Sequence, residues 1–478
     1  MSITQDGPAR SPAEKARELK ALGLLEDALV QHRLDVAERP ASAVAEHNLA
    51  STLGDLSRFA EAAAAAQRAI TKGITAPETW LVLARALQGM LRLDEAEAAY
   101  EAALALRPDY LDAHQDLAQL RWMRDGDLAG ACTALERAIA RGGPASTPLT
   151  IQCSRLEIAA GQPGQAVTRL EAALQRTPAD PALYLATAQA CAAAGQRDAH
   201  LAHAASALRL APSSQLAAKT AVEALLGLGQ AQEAADLAGR ILAHHPADQG
   251  VRVLHLTALR LLGDARGTTP YEDTGLVRQI EVPTPAGWSA RADWLDELSR
   301  TLRARHGWAM HPPGQSLRGG SQTQEDLSRS DDPAIAGLFN SIRQVVTRYI
   351  AELGSGTDPT RARLQGMHTP PPWRFTGAWS VLLRAGGCHI DHVHPEGWLS
   401  SAFHVETVPA HNEDKQGWLA FGRPGCATSP ALSPLFHVAP KPGHLVLFPS
   451  YLWHGTEPFD APHERLSVAF DIVPGERG

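Results

Sequence analysis

Metal-binding side chains concentrate in Gly386-Gly387-Cys388-His389-Ile390-Asp391-His392-Val393-His394-Pro395, and Phe448-Pro449-Ser450-Tyr451-Leu452-Trp453-His454 and Arg465-Leu466-Ser467 follow downstream. Two ligating residues separated by one share a face of a strand, because side chains alternate with period two. A third ligand from a distant strand completes a facial set. Such a set leaves about three of six octahedral positions for a bidentate co-substrate and O2, the arrangement of non-haem Fe(II) oxygenases. Arg465, two residues before Ser467 on the strand after the last candidate ligand, can pair with the far carboxylate of that co-substrate while the hydroxyl adds a hydrogen bond. These residue types in this order read as Fe(II) and 2-oxoglutarate chemistry.

Two nested pairs compete for the metal. His389 with Asp391 gives two histidines and a carboxylate once His454 is added, whereas His392 with His394 gives three histidines. In a regular strand a shift of three residues exchanges the faces, so one pair must lose. His404, His411, His437, His444 and His463 read as hydrogen-bonded core or surface residues. Trp379, Trp398 and Trp453 read as core or pocket walls that keep water from a reactive centre. The eleven residues from His454 to Arg465 suit one hairpin.

The motifs as a set resemble a bacterial 2-oxoglutarate/Fe(II)-dependent oxygenase family. Its glycine pair, His-x-His-Pro, Leu-Ser-Gly, Pro-Gly-x-x-x-x-Phe-Pro-Ser-x-x-x-His and Arg-x-Ser are matched by Gly386-Gly387, His392-Val393-His394-Pro395, Leu399-Ser400-Ser401, Pro442-Gly443 with Phe448-Pro449-Ser450 and His454, and Arg465 with Ser467. Gly319-Gly320-Ser321 resembles the family's weaker amino-terminal glycine motif, so the likeness spans roughly residues 275–475. Ser401 stands where the family usually has Gly, and His404 where Tyr is common. The resemblance implies that His392, His394 and His454 hold Fe(II), with Asp391 in reserve for the second position, and that Arg465 and Ser467 bind 2-oxoglutarate. It implies an oxidation, by default a hydroxylation, that consumes O2 and releases succinate and CO2.

The chain has 478 residues, more than one hydrophobic core usually supports, so at least two domains are expected. Eight of ten Trp and twelve of twenty His follow residue 280, while the first 260 residues are dense in Ala and Leu. A formal net charge of −8 argues against a nucleic-acid partner. Cys132, Cys153, Cys191, Cys388 and Cys426 are an odd number without Cys-x-x-Cys spacing, which argues against a disulfide framework or structural zinc. The start lacks a basic region followed by an apolar run, and no later segment approaches eighteen continuous apolar residues. These features predict a cytoplasmic protein with no membrane partner.

Ala28, Ala62, Ala96, Ala131, Ala166 and Ala234 recur at 34 or 35 residues, or at twice that where His200 holds the slot. A second small position seven residues on carries Ala69, Ala103, Ala138, Ala173 and Ala207, and Pro40, Pro108, Pro178, Pro212 and Pro246 close repeats. The copy Trp80, Leu83, Ala84, Leu87, Ala96, Tyr100, Ala103 and Pro108 resembles the tetratricopeptide repeat (TPR) consensus. A helical pair of this size cannot bury its apolar face alone, so about seven must stack into a superhelix with a concave surface.

The expected architecture is α+β and multidomain. An N-terminal all-α TPR superhelix (10–264) leads through a linker and domain entry (265–290) to a C-terminal double-stranded β-helix, a jelly-roll or cupin-like domain with supporting helices (291–478). Trp294, Leu298 and Leu302 mark one such helix and Ile335 to Ile350 another, and short β-rich runs begin at Trp379. The expected function is a hydroxylase acting on a protein or peptide recruited in the TPR groove. The alternatives are a metabolite hydroxylase whose repeats dimerise or dock a partner, and a scaffold without catalysis. On the first reading the helical part up to residue 260 is separable from the iron chemistry.

Overall fold

Alanine at the repeat's small positions lets neighbouring helices approach closely, and the computed structural model shows those positions sealed. It describes residues 10–354, 356–364, 371–408, 414–460 and 462–475, so His411 lies outside the described residues. Fifteen helices follow one another from Pro12–Ala21 to Gln249–Leu261 among the described residues. Ala28, Ala62, Ala96, Ala131, Ala166 and Ala234 are all 0% exposed. Forcing a larger side chain into such a contact typically costs about 1–3 kcal/mol. The second helices end at Glu38, Leu106, Arg176, Leu210 and His244, each two residues short of the closing proline, because proline lacks an N–H and clashes one turn back.

The chain divides into two compact units, Met1–Leu149 and Thr150–Gly478. The second holds the later repeat helices together with all the strands.

Nine strands form two antiparallel sheets among the described residues. They are β1 (Arg278–Glu281), β2 (Leu317–Gln322), β3 (Trp373–His389), β4 (Leu399–Glu406), β5 (Leu419–Phe421), β6 (Phe436–Val438), β7 (His444–Pro449), β8 (His454–Thr456) and β9 (Arg465–Pro474). The larger sheet runs β1-β7-β4-β9-β3-β2 and the smaller β6-β5-β8.

Alternation on β9 sorts the two faces of the larger sheet. Leu466, Val468, Phe470 and Ile472 share a core with Trp294, Leu298 and Leu302 of the helix Arg291–Arg303 and with Ile335, Leu338, Ile342 and Val346 of the helix Pro333–Leu353. Burying each such side chain contributes about 1.5–3 kcal/mol. Arg465, Ser467, Ala469 and Asp471 face the other way, into a cavity that the smaller sheet also lines through Leu419, His454 and Thr456. The helices therefore fix the sheet from behind and leave its polar face free.

Both glycine motifs have one steric cause. Gly319 sits at φ +61° with its α-hydrogens toward Gly387, where an added Cβ would lie 2.9 Å from the Gly387 Cα. A Cβ on Gly387 would in turn lie 2.5 Å from the Gly319 carbonyl oxygen. The two glycines let β2 and β3 cross at a register shift between Arg318 and Gly320.

Two expectations change. His454 and Arg465 do not form a hairpin: β8 pairs with β5, while β9 pairs with β3 and β4 in the other sheet. The helices up to Leu261 are also not separable from the strands, since Trp453 packs in one core with Val222, Leu226, Val251 and Leu254 of the repeat helices.

Candidate metal centre

β3 ends at His389, and the chain then runs through a turn to β4 at Leu399. His392 is held in that turn by an isolated antiparallel bridge to His454, with backbone bonds of 2.8 and 3.1 Å in the two directions. The His394 N–H donates to the Ser450 carbonyl at 2.8 Å. These backbone ties bring the distant ligand candidates together. Possible ligand atoms of His392, His394 and His454 all lie within 4.8 Å of one another.

Each of the three imidazoles has its Nδ1 engaged elsewhere. His392 Nδ1–H donates to the Ile390 carbonyl at 2.7 Å, His454 Nδ1–H to the Leu452 carbonyl at 2.9 Å, and His394 Nδ1–H to Asp471 Oδ2 at 2.7 Å. The lone pair then sits on Nε2, the tautomer a metal-ligating histidine needs, with the orienting partner such ligands generally have. Asp471 is itself fixed, since the Ser400 hydroxyl donates to its Oδ1 at 2.6 Å. Burial, and then the neighbouring His394, holds the His392 imidazole down to about 4, and burial holds His454 well below its usual value. Both are neutral donors at neutral pH.

Asp391 is committed elsewhere: Arg423 Nε donates to its Oδ2 at 2.5 Å, and the same guanidinium reaches Glu457 at 3.1 Å. His389 lines the cavity beside His392, with ring centroids 5.7 Å apart. The two-face argument fails here because residues 390–397 are not a regular strand. Members of both nested pairs thus reach the cavity, while Asp391 turns to its arginine.

The cavity has a volume of about 470 Å³, within the range of roughly 300–1,000 Å³ usual for small-molecule sites. Arg465 is 1% exposed, and burial pushes its guanidinium down to about 10. No carboxylate pairs with it among the described residues; its Nη2 donates to His404 Nδ1 at 3.3 Å, and its Nε has no partner. His404 is wholly buried and its Nε2 is also unpartnered. It is paired in register with Ser467 across β4 and β9. A buried cation without a counter-charge is costly. Such a group calls for an anion, and the Ser467 hydroxyl lies on the same strand face.

Sequence reasoning missed His404 and Asp471 as site residues. His404 reads as an isolated core histidine, yet its position opposite Ser467 puts it against Arg465. The signal for Asp471 was available, because it lies an even number of residues beyond Arg465 and Ser467 on the same strand. Trp379 lines the cavity as expected and stacks on His394 with centroids 6.2 Å apart. Trp398 is core, and Trp453 donates its Nε1–H to Thr257 Oγ1 at 3.0 Å.

Residues 377–471, from β3 to Asp471, match the family described as "Putative 2OG-Fe(II) oxygenase". Residues 81–147 and 154–215 match the tetratricopeptide repeat. The chain thus carries tetratricopeptide repeats and, C-terminal to them, a domain that matches this putative 2OG-Fe(II) oxygenase family.

No curated protein matches the chain. Among solved structures, PilW, a widely conserved type IV pilus biogenesis factor, is similar at 19% identity over 44% of this chain and 97% of its own, with a TM-score of 0.35. A tetratricopeptide repeat protein from Parabacteroides merdae is similar at 13% identity over 52% and 97%, with a TM-score of 0.37. The C-terminal part of a TPR protein from Cytophaga hutchinsonii is similar at 15% identity over 50% and 98%, also at 0.37. At these scores the likenesses carry nothing further about this chain. No described helix is long and apolar enough to cross a membrane.

Proposed function

We propose that the chain is an Fe(II)- and 2-oxoglutarate-dependent dioxygenase that hydroxylates a protein or peptide substrate recruited by its repeats. The observation that carries this reading is one cavity with two unsatisfied demands: three imidazoles converging within 4.8 Å, and the guanidinium of Arg465 with no carboxylate partner among the described residues. The donor set fits the cofactors. His392, His394 and His454 would hold Fe(II), and Arg465 with Ser467 would pair the far carboxylate of 2-oxoglutarate. Bound there, the metal supplies activation of O2 coupled to decarboxylation of the co-substrate.

The protein's own residues perform the positioning. With no carboxylate in the candidate ligand set among the described residues, three imidazole ligands would leave the charge of a divalent ion to be offset by an anionic co-substrate and, one residue removed, by Asp471 behind His394. Arg465 fixes the orientation of that co-substrate, because a guanidinium fork matches a carboxylate bidentately. Trp379, Leu419 and Phe448 line the cavity and exclude water around the reacting atoms.

TPR arrays present extended surfaces suited to polypeptide partners, and binding energy gained remotely can orient a side chain at a reactive centre. A second reading, a metabolite hydroxylase whose repeats dimerise or dock a partner, is favoured by the packing of the last repeat helices on the strands, which gives part of the array a structural duty. The two separate in a measurement of succinate released and product oxidised, with Fe(II), 2-oxoglutarate, and a host lysate or peptide library. The arms are the full chain and a chain beginning at Thr150, where the second compact unit starts. Loss of coupled oxidation with retained uncoupled succinate release supports recruitment by the first repeats. Equal coupling in both overturns it and favours the metabolite reading.

A further inference from the structure

The turn that carries His392 and His394 touches the repeat helices directly. The side-chain amide of Gln249, first residue of the helix Gln249–Leu261, donates to the Pro395 carbonyl at 2.8 Å and to the Gly397 carbonyl at 2.6 Å. Both partners can only accept, so the NH2 end of the amide must face them. Gln249 is 5% exposed, and the Asp248 carboxylate caps its helix by accepting from the Val251 N–H at 2.9 Å. The donor therefore sits on a rigid base. Within the turn the Gly397 N–H donates to the His394 carbonyl at 3.0 Å, closing residues 394–397 into one unit.

A groove of about 610 Å³ lined by Lys219, His245, Pro395 and Glu396 borders that unit. Val393, just before the unit, packs against the core of the repeat helices, and the two hydrogen bonds from one amide tie the turn itself to the last of them. On the inner side His394 is held by Asp471 and the Ser450 carbonyl, and Trp379 stacks on its ring. We infer that Gln249 is a positioning residue for His394, so that the final repeat helix is part of the metal centre's outer support and not only of a recruiting array.

This inference rests on the metal reading proposed above. It deepens that reading by assigning a residue more than a hundred positions upstream to the geometry of the ligand turn. Without the amide, the buried Gly397 carbonyl and the part-buried Pro395 carbonyl lose this donor, the turn can shift toward the groove, and the His394 Nε2 leaves its place beside those of His392 and His454. Outer partners that orient metal ligands commonly change affinity by about 10–100-fold when removed.

The test uses full-length apoprotein under anaerobic conditions, with Co(II) alone as the probe. The readouts are its dissociation constant, by competition with a chelator, and its visible absorption spectrum. Gln249→Glu replaces the donor with an acceptor, and Gln249→Met keeps the volume without either. Both are expected to weaken Co(II) binding about 10–100-fold and to alter the spectrum. Lys219→Ala, on the same groove, should leave affinity and spectrum as in the parent. Affinities of both Gln249 variants within twofold of the parent, with an unchanged spectrum, overturn the inference, as does an equal loss in Lys219→Ala. A parent protein that does not retain Co(II), or a His392→Ala variant that binds it as tightly as the parent, overturns the metal reading and this inference together.

Discussion

The repeats and the cavity treat buried charge in opposite ways. In the first repeats several sunken carboxylates are neutralised where they lie, unlike Glu223 further along, which burial pushes up to about 7. Glu46, with 3% of its side chain exposed, accepts from both Arg68 and Lys72 at 2.9 and 2.7 Å. Asp35, 2% exposed, is held by Arg39, and Glu97 by Arg121 and Arg124. In the cavity Arg465 is equally buried and has no acid, and three imidazoles converge with none among them. The difference separates groups that complete a fold from groups that await something else. A buried charge satisfied by its own chain stabilises that chain, whereas an unsatisfied one lowers stability until a ligand arrives.

The largest effect expected is at the imidazoles. His454→Ala or His392→Ala should abolish iron retention after desalting and 2-oxoglutarate turnover, while melting stays near that of the parent. Asp391→Asn should keep the metal, since its carboxylate serves Arg423. Iron retained in His394→Ala but lost in Asp391→Asn would reverse the assignment of the second ligand.

Next comes a pair of substitutions whose signs should differ. Arg465→Met removes a buried charge that has no counter-charge among the described residues, and replacing even paired buried ions by apolar residues of similar volume is often neutral or stabilising by about 1–4 kcal/mol. The ligand-free protein should therefore melt higher in calorimetry while losing co-substrate turnover. Glu46→Gln removes a partnered charge and should cost about 1 kcal/mol, limited by the half-exposed Arg68. Destabilisation by both would mean that Arg465 has a structural partner and that the contrast between the regions is false.

How far these regions could be read from sequence follows from how local their determinants are. The repeats were legible because one physical constraint, a small residue where helices meet, returns every 34 or 35 residues. The helices Arg291–Arg303 and Pro333–Leu353 were legible from apolar spacing. The strands β1, β2, β6 and β8 were not, being three to six residues long and set by partners far along the chain. At the site, residue types and order pointed to the imidazoles and Arg465. The face argument failed because it assumed an unbroken strand where the chain turns after His389. His404 and Gln249 carry no local signal at all, since each acquires its place only through a partner more than fifty residues away.

A smaller effect should appear with pH. Burial holds His306, whose nitrogens lie 2.9 and 3.0 Å from the Ser321 and Ser380 hydroxyls, down to about 4. The unfolded chain takes up this proton near 6.5, so its contribution to stability is complete above 6.5 and is lost as pH falls from there to about 4. His306→Gln, which cannot titrate, should flatten the fall of melting temperature across that window. A slope identical to the parent's would show that other groups govern it.

The account turns on whether the cavity takes a metal and a dicarboxylate together. The most direct measurement is an anaerobic calorimetric titration of 2-oxoglutarate into the protein with and without Fe(II), repeated for Arg465→Lys. Binding should require Fe(II) in the parent, and should weaken in the lysine variant by about 1.5–3 kcal/mol, the worth of a charge-assisted hydrogen bond lost with the guanidinium fork. Binding of equal strength in both proteins, or none in the iron-loaded parent, would contradict it.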